Sequence, residues 1–396
     1  MTARQVRWYA RPVLAVLAGQ FCAALADNAL LILSIALLEA RHAPAWITPA
    51  LRVGFYASYV VLAPFAGRWA DAWPKGQLMA AVNVIKLAGI IALALGIHPL
   101  FVFAAIGLGA AAYAPARYGI LPELTEGRDL VQANAAMEIV TIVGIVGGYL
   151  LGSFLVDYAS TGWACTILGA LYVAGAASTL TLGREGTLHD GTILFRTGIK
   201  VILRDALTRN ALALTSIFWS AAAVLQFVMI EWAQRTLGLS LAHAAFLPAL
   251  FAIGMVSGAA FAGTWQARAS TWWPPVCGIA LGGAIVLMPL ARSLPAACAL
   301  LATTGALAGA LLVPMNATLQ QRGGTLVLPG LSVAVQNFFE NGLSIFFLAA
   351  YGAAIAFGVS LNTIIYGLGV GVMVLVSFSA LCRRTPAPIL SNKRQC

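Results

Sequence analysis

Apolar runs of bilayer-spanning length recur along the whole chain, parted by short clusters of polar residues, glycine and proline. About 20 apolar residues suffice for a helix to cross the hydrocarbon core. Twelve runs reach that length, at 13–38, 51–70, 78–97, 99–121, 130–157, 162–182, 209–235, 243–265, 273–292, 294–319, 328–357 and 359–381. The pattern predicts an all-α membrane protein of twelve transmembrane helices. The third–fourth and ninth–tenth connections (Gly96–Pro99 and Arg292–Pro295) are so short that each pair must form a hairpin. The longest polar connection runs from Gly183 to Asp205. Its apolar positions Ile193, Leu194, Phe195, Ile199, Val201, Ile202 and Leu203 suggest an amphipathic helix on the membrane surface. This divides the chain into an N-terminal six-helix half (1–183), a linker (184–208), a C-terminal six-helix half (209–382) and a tail (383–396).

The halves echo each other. Phe65-Ala66-Gly67-Arg68-Trp69 returns as Phe261-Ala262-Gly263-Thr264-Trp265, an offset of 196, and Pro115 returns as Pro314, an offset of 199. Glu138 and Glu340 are 202 apart, and each has an amide four residues before it, Asn134 and Gln336. Nearly constant offsets imply two parallel six-helix repeats, an architecture with its binding site at the interface of the halves near the midplane. The offset of 199 also pairs Gln226 with Asp27.

Polar residues inside these runs are the candidate chemistry. Asp27-Asn28 interrupts the first run, where a carboxylate costs about 2.5–3.5 kcal/mol on insertion scales. Gln20, Asp27 and Ser34 are seven apart and share a helix face. That face either lines a cavity or ties two helices together by hydrogen bonds. In the fifth run Asn134, Glu138 and Thr141 share a face, and Gly144, Gly148 and Gly152 form a stripe suited to close helix packing. The eleventh run presents Gln336, Asn337, Glu340, Asn341 and Ser344, a polar face broad enough to wall a cavity. Lys86 either snorkels to the interface or is a counter-ion to Asp27 or to an anionic substrate. Arg117 is either an anion-binding fork or a basic anchor at the membrane edge. Glu231 suits an ion pair with Arg235 one turn on.

Composition supports the membrane reading: 61% of the 396 residues are hydrophobic and 9% charged, against roughly 25% charged in soluble domains. The net charge of +10 has a topological cause. All lysines and arginines except Arg41, Arg52, Lys86, Arg235 and Arg292 fall on the side of the termini, which the positive-inside rule assigns to the cytoplasm. The positive charge therefore implies contact with anionic membrane lipids, and no nucleic-acid partner is expected. Arg4, Arg7 and Arg11 before Ala24-Leu25-Ala26 imitate a signal peptide, but the apolar run resumes at Ala29 and the first span is expected to be retained. The six cysteines lack metal-ligand spacing, no phosphate-loop motif occurs, and no catalytic triad assembles from the scattered histidines. Gly367-Leu368-Gly369-Val370-Gly371 follows no strand, so it is read as helix packing. Neither enzymatic activity nor a cofactor or metal is expected.

Gly67-Arg68-Trp69-Ala70-Asp71-Ala72-Trp73-Pro74-Lys75 resembles the G-x-x-x-D-(R/K)-x-G-(R/K) loop of the major facilitator superfamily, with Ala72 and Pro74 departing from it. In that loop Gly67 would permit close helix approach, and Asp71 would cap a neighbouring helix or pair with its basic residues as a conformational latch. Within the superfamily the chain resembles the bacterial lysophospholipid transporters, or flippases. The residues that carry this are Asp27-Asn28-Ala29-Leu30-Leu31, Lys86-Leu87, the stretch from Ala111-Ala112-Tyr113-Ala114-Pro115 through Ala116-Arg117-Tyr118-Gly119-Ile120-Leu121, Met137-Glu138, Val313-Pro314-Met315-Asn316-Ala317, Ala334-Val335-Gln336-Asn337 and Glu340-Asn341. The resemblance implies movement of lysophospholipids, such as lysophosphatidylethanolamine, across the bacterial inner membrane. It also implies a partner, a cytoplasmic acyl-ACP synthetase/acyltransferase that remakes the diacyl lipid; no such domain follows residue 396, so a separate chain is expected. Leu225-Gln226-Phe227 stands where the family has Leu-Arg-Phe. Phosphate binding would then fall to Lys86 or Arg117, or headgroup preference would differ.

The chemistry suits such a substrate. A zwitterionic lysolipid needs carboxylates for its ammonium, donors for its phosphate and an apolar opening for its tail. Asp27, Glu138 and Glu340 offer the first; Lys86, Arg117, Gln226 and Asn28 offer the second. The alternative is a proton-coupled exporter of drugs or amphiphilic cations, which three buried carboxylates against one clear buried cation would also suit.

Overall fold

The computed structural model describes residues 6–42, 47–182, 193–239, 247–265 and 273–382. Among these the regular structure is helical: α1 (Arg11–Ala40), α2 (Ile47–Ala72), α3 (Lys75–Ala94), α4 (Pro99–Leu124), α5 (Gly127–Tyr158), α6 (Thr161–Leu180), α7 (Phe195–Arg204), α8 (Ala206–Leu237), α9 (Leu247–Trp265), α10 (Trp273–Leu287), α11 (Leu294–Thr318), α12 (Pro329–Ala356) and α13 (Leu361–Cys382). Among the described residues eleven helices are long and apolar enough to cross a membrane. The remaining long helix, α2, carries Arg52, Tyr56, Ser58 and Tyr59 among its apolar residues. The observed helices follow the predicted runs, apart from 243–246, which lie outside the described residues.

Local sequence sets the ends. Proline, which has no N–H to leave unpaired, opens α4 and α12. The Ser160 hydroxyl accepts the Trp163 N–H at the start of α6, and Gly238, at a φ of +66°, ends α8 in the left-handed conformation. The α3–α4 hairpin turns at Gly96, φ +90°. Two cations near the ends of the predicted runs are inside helices. Lys75 begins α3, fully buried, and forms a 2.7 Å ion pair with Glu123 of α4; Arg117 is within α4.

The bundle has one end at which α1, α3, α5, α8, α10 and α12 begin, and where most lysines and arginines gather; it is called the basic end below. α1 packs on α5 and α6, α2 on α4, and α3 on α4 and α6. The same neighbours recur later in the chain: α8 packs on α12 and α13, α9 on α11, and α10 on α11 and α13. The two groups meet where α2 and α4 touch α12, and where α5 touches α9 and α11.

Two glycines make the meeting close. A methyl at Gly67 of α2 would stand 2.9 Å from the Ala334 methyl and the Leu331 Cα of α12; one at Gly263 of α9 would stand 2.8 Å from the Ala135 methyl and 4.0 Å from the Gln132 Cα of α5. Ala135 with Ala334 and Gln132 with Leu331 both differ by 199 positions. The packing therefore matches Glu138 to Asn337 and Thr141 to Glu340. Glu138 and Glu340, paired above at 202, are therefore three residues out of register, nearly a turn apart along the helix although on a similar face.

α7 is the expected amphipathic helix. Gly198 and Ile202 are buried, with a methyl at Gly198 falling 3.0 Å from the Leu331 side chain, while Arg196, Lys200 and Arg204 are exposed. Asp205 joins α7 to α8, accepting the Thr208 N–H at 3.0 Å and the Arg322 guanidinium at 2.6–3.0 Å. The Arg322 hydrogen bonds hold the Asp205 carboxyl down at about 2, from an ordinary 3.8.

Candidate functional site

The glycine stripe of α5 positions α1. A methyl at Gly148 would stand 2.7 Å from the Asn28 Cβ and the Leu25 carbonyl, and one at Gly152 would stand 2.8 Å from the Ala29 carbonyl. Only glycine permits that approach. α1 pressed against α5 turns Gln20, Asp27 and Asn28 into a cavity of about 340 Å³ between the two groups of helices.

Nine of the ten residues expected at a binding site line this cavity: Gln20, Asp27, Asn28, Lys86, Arg117, Gln226, Gln336, Asn337 and Glu340. Thr141, Asn341 and Ser344 join them. Glu138 does not. It lies behind the wall, accepting hydrogen bonds of 2.9 Å from the Tyr118 hydroxyl and from Asn316 of α11. Ser34 is fully buried away from the lining, so the face expected to run from Gln20 to Ser34 opens to the cavity only over its first two members.

Lys86 neither snorkels nor stands free. Its ammonium lies 2.6 and 2.9 Å from the two Asp27 carboxylate oxygens, and it is only 1% exposed. The Tyr172 hydroxyl donates to Asp27 at 2.8 Å, and the rings of Tyr113 and Tyr172 stand 5.7 Å from the ammonium. Mutual neutralisation and added hydrogen bonds let the two charges sit this deep. Asp27 nonetheless still lines the cavity.

Beyond that pair, the ionisable residues of opposite sign on the wall are Arg117 and Glu340. The Arg117 guanidinium stacks 4.5 Å from the Tyr118 ring centre, and its Nε has no hydrogen-bond partner. Glu340 accepts from Gln336 at 2.8 Å, and Gln336 also donates to Asn316 at 2.7 Å. Leu31, Phe55, Phe103, Ile145, Tyr149 and Trp219 make the rest of the wall largely apolar. The site thus has a cation and a carboxylate on different helix groups, beside an aromatic flank.

The floor, toward the basic end, is closed by polar bonds between the groups. Asn134 and Gln320 exchange amide hydrogen bonds of 2.7 and 2.9 Å, and Glu138 meets Asn316 just above. Lower still, both carboxylate oxygens of Asp71 accept backbone N–H groups at the start of α12, Gly330 at 2.7 Å and Leu331 at 2.9 Å. Of the two roles expected for Asp71, these bonds make the cap, set at the positive end of the helix dipole. Glu231 pairs with Arg235 at 2.6 Å as expected.

Sequence reasoning assigned no site role to Tyr172, Tyr113, Tyr118, Asn316 or Gln320. Asn316 had a signal, since it lies 199 positions after Arg117, the offset that relates Pro115 to Pro314. Tyr113 and Tyr118 stand in the stretch that carries the family resemblance, but a tyrosine in an apolar run does not announce which partner its hydroxyl will find. Among the described residues no group of three or more His, Cys, Asp and Glu is arranged to hold a metal.

The family model of the Major Facilitator Superfamily matches residues 16–346. The lysophospholipid transporter LplT of Yersinia enterocolitica is 37% identical over 358 residues, 88% of each chain, and LplT of Yersinia pestis is 37% identical over 357 residues, again 88% of each. Solved structures with the same fold include a bacterial homologue of the iron transporter ferroportin (TM-score 0.74, 15% identity, 94% of this chain and 98% of that one). The human organic anion transporter MFSD10 is similar too (TM-score 0.72, 15% identity, 94% and 99%). The chain is therefore a multi-span member of the Major Facilitator Superfamily, and within it of the lysophospholipid transporter family.

Proposed function

We propose that the protein moves lysophospholipids, such as lysophosphatidylethanolamine, across the bacterial inner membrane by alternating movement of two halves about the central cavity. It is a transporter and not an enzyme. The observation that carries this reading is the pairing of Arg117 and Glu340 on different helix groups beside an apolar aromatic flank. That combination matches a phosphate, an ammonium and a single acyl tail. In this reading Arg117 binds phosphate through its planar fork, with Gln226, Asn28 and Asn337 as further polar contacts. Asp27 and Glu340 receive the ammonium, while Gln20 and Gln336 hold the walls in register.

The recurring helix neighbours support twelve spans arranged as two parallel repeats, an N-terminal half (1–183) and a C-terminal half (209–382) joined by the linker 184–208. The charge distribution supports cytoplasmic termini and a basic end facing the cytoplasm. Gly67 and Asp71 then act as a cytoplasmic latch that must release before the cavity opens inward. Glu138 belongs to the same closure through Asn316. Re-acylation of the delivered lipid falls to a cytoplasmic acyl-ACP synthetase/acyltransferase.

Export of amphiphilic cations has less support. Asp27 already holds Lys86 and Glu138 is behind the wall, which leaves Glu340 as the one carboxylate of the three that faces the cavity without a basic partner bonded to it. The test is uptake of labelled lysophosphatidylethanolamine by proteoliposomes, with Arg117→Ala alongside. Lysolipid movement that Arg117→Ala abolishes is the expected result. Gradient-driven movement of a cationic dye, with lysolipid left behind, would sink the proposal.

A further inference from the structure

About one turn from the Asp27–Lys86 pair, toward the basic end, three buried polar atoms have no partner: both amide atoms of Asn83 and the hydroxyl oxygen of Tyr113. Asn83 is completely buried and Tyr113 is 2% exposed. They converge where α1 crosses α6. A methyl at Gly175 of α6 would stand 3.1 Å from Asn83 Nδ2, and one at Gly19 of α1 would stand 3.3 Å from the Tyr113 hydroxyl. Each of these glycines also faces the other's carbonyl oxygen, at 3.4 Å from such a methyl. Leaving a buried polar atom unpaired costs stability, and native cores rarely do so without a reason.

Lys86 supplies the reason. Asn83 precedes it by three residues on α3 and so shares its face, and helical side chains lean toward the N-terminus, here toward Asn83. The Tyr113 ring already stands 5.7 Å from the ammonium. We infer that Asn83 and Tyr113 form a second seat for the Lys86 ammonium, taken up when Asp27 turns to the ammonium of a bound lysolipid. This rests on the reading of Asp27 as a headgroup ligand. The Asn83 carbonyl and the Tyr113 hydroxyl are both acceptors, and an ammonium brings three donors to share between them. Without such a seat, a substrate ammonium at Asp27 would leave the lysine buried and unpaired. With it, Lys86 is an exchangeable counter-ion, and the exchange favours headgroups that carry a primary ammonium.

The test is binding of lysophosphatidylethanolamine and lysophosphatidylglycerol to the purified full chain. Asn83→Leu removes the seat and should weaken lysophosphatidylethanolamine about tenfold, the size of one charge-assisted hydrogen bond, while sparing lysophosphatidylglycerol. Asn83→Asp gives Lys86 a competing carboxylate and should tighten lysophosphatidylethanolamine. In a Lys86→Gln background Asn83→Leu should have no further effect. Tyr113→Phe, which deletes one oxygen, replaces Asn83→Leu if that variant does not fold. Shifts of the same sign for both Asn83 variants and both lipids would overturn the inference, as would an Asn83→Leu effect that survives Lys86→Gln. An Asp27→Asn arm separates the two claims. Unchanged lysophosphatidylethanolamine binding there defeats the headgroup reading itself, whereas loss there with silent Asn83 variants defeats only the second seat.

Discussion

The Glu138 carboxylate of α5 accepts a 2.9 Å hydrogen bond from the Asn316 side chain of α11, which joins the two helix groups beneath the cavity. Asn316 also accepts from Gln336, so one amide links a buried carboxylate to the polar wall of α12. Asn316→Ala removes both links and leaves Glu138 with the Tyr118 hydroxyl. The closed floor should lose about 1–3 kcal/mol relative to an open one, because a hydrogen bond to a charged group is lost. A cysteine placed at Gln320 should react faster with a water-soluble maleimide applied from the basic end in Asn316→Ala than in the otherwise unchanged protein. An unchanged rate would mean that the contact does not hold the floor shut.

Asp71 works at the same closure by other means. Its two oxygens cap the first turn of α12, an arrangement worth about 0.5–2 kcal/mol. Asp71→Ala should therefore widen the distance between spin labels set on α2 and α12 at the basic end, and slow transport without unfolding the protein. If the label distances stay as in the wild type, the latch reading is wrong.

Acid should release the α7 anchor late. Asp205 has its carboxyl held at about 2 against an ordinary 3.8 by the Arg322 hydrogen bonds. A depressed folded value means that the group stabilises the fold above about 4, and that this contribution fades as pH falls through 2. Hydrogen exchange in α7 should be faster in Asp205→Asn than in wild type at neutral pH, with the gap closing between about pH 4 and 2. A gap independent of pH would assign the effect to packing and not to the charge.

The glycine stripe predicts a contrast in stability. Gly148→Ala forces a methyl against Asn28 and Leu25 and should cost about 1–3 kcal/mol through overpacking. Gly371→Ala meets open space in α13, with nothing within 4 Å, and should leave the melting temperature unchanged or raise it slightly. Equal melting temperatures for the two variants would refute the close α1–α5 contact.

Much of this was legible in the sequence because membrane burial writes itself in long apolar runs, and because polar residues within such runs are rare. Asp27, Lys86, Gln336 and Glu340 stood out for that reason, and all reach the cavity. The amphipathic α7 was readable from its spacing of Ile and Leu. The partner of each group was not readable. Sequence left Lys86 between the interface, Asp27 and a substrate, and only the crossing of α1, α3 and α6 brings Asp27 and Tyr172 to it. Glu138 misled for the same reason. Its depth and neighbours resemble those of Glu340, but the α5–α9 contact at Gly263 turns it behind Tyr118 and Asn316. Lys75 closes the stretch that resembles the superfamily loop, whereas α3 begins there and buries it against Glu123.

The central claim is that a lysolipid headgroup crosses through the cavity at Asp27. It is tested most directly by flipping of fluorescent lysophosphatidylethanolamine in liposomes containing the purified protein, with Asp27→Ala confirmed as folded by its elution profile. The account predicts rapid flipping by the wild type and loss of at least about tenfold with Asp27→Ala, as expected when a charge-assisted contact to the headgroup is removed. Flipping by Asp27→Ala at the wild-type rate would contradict it.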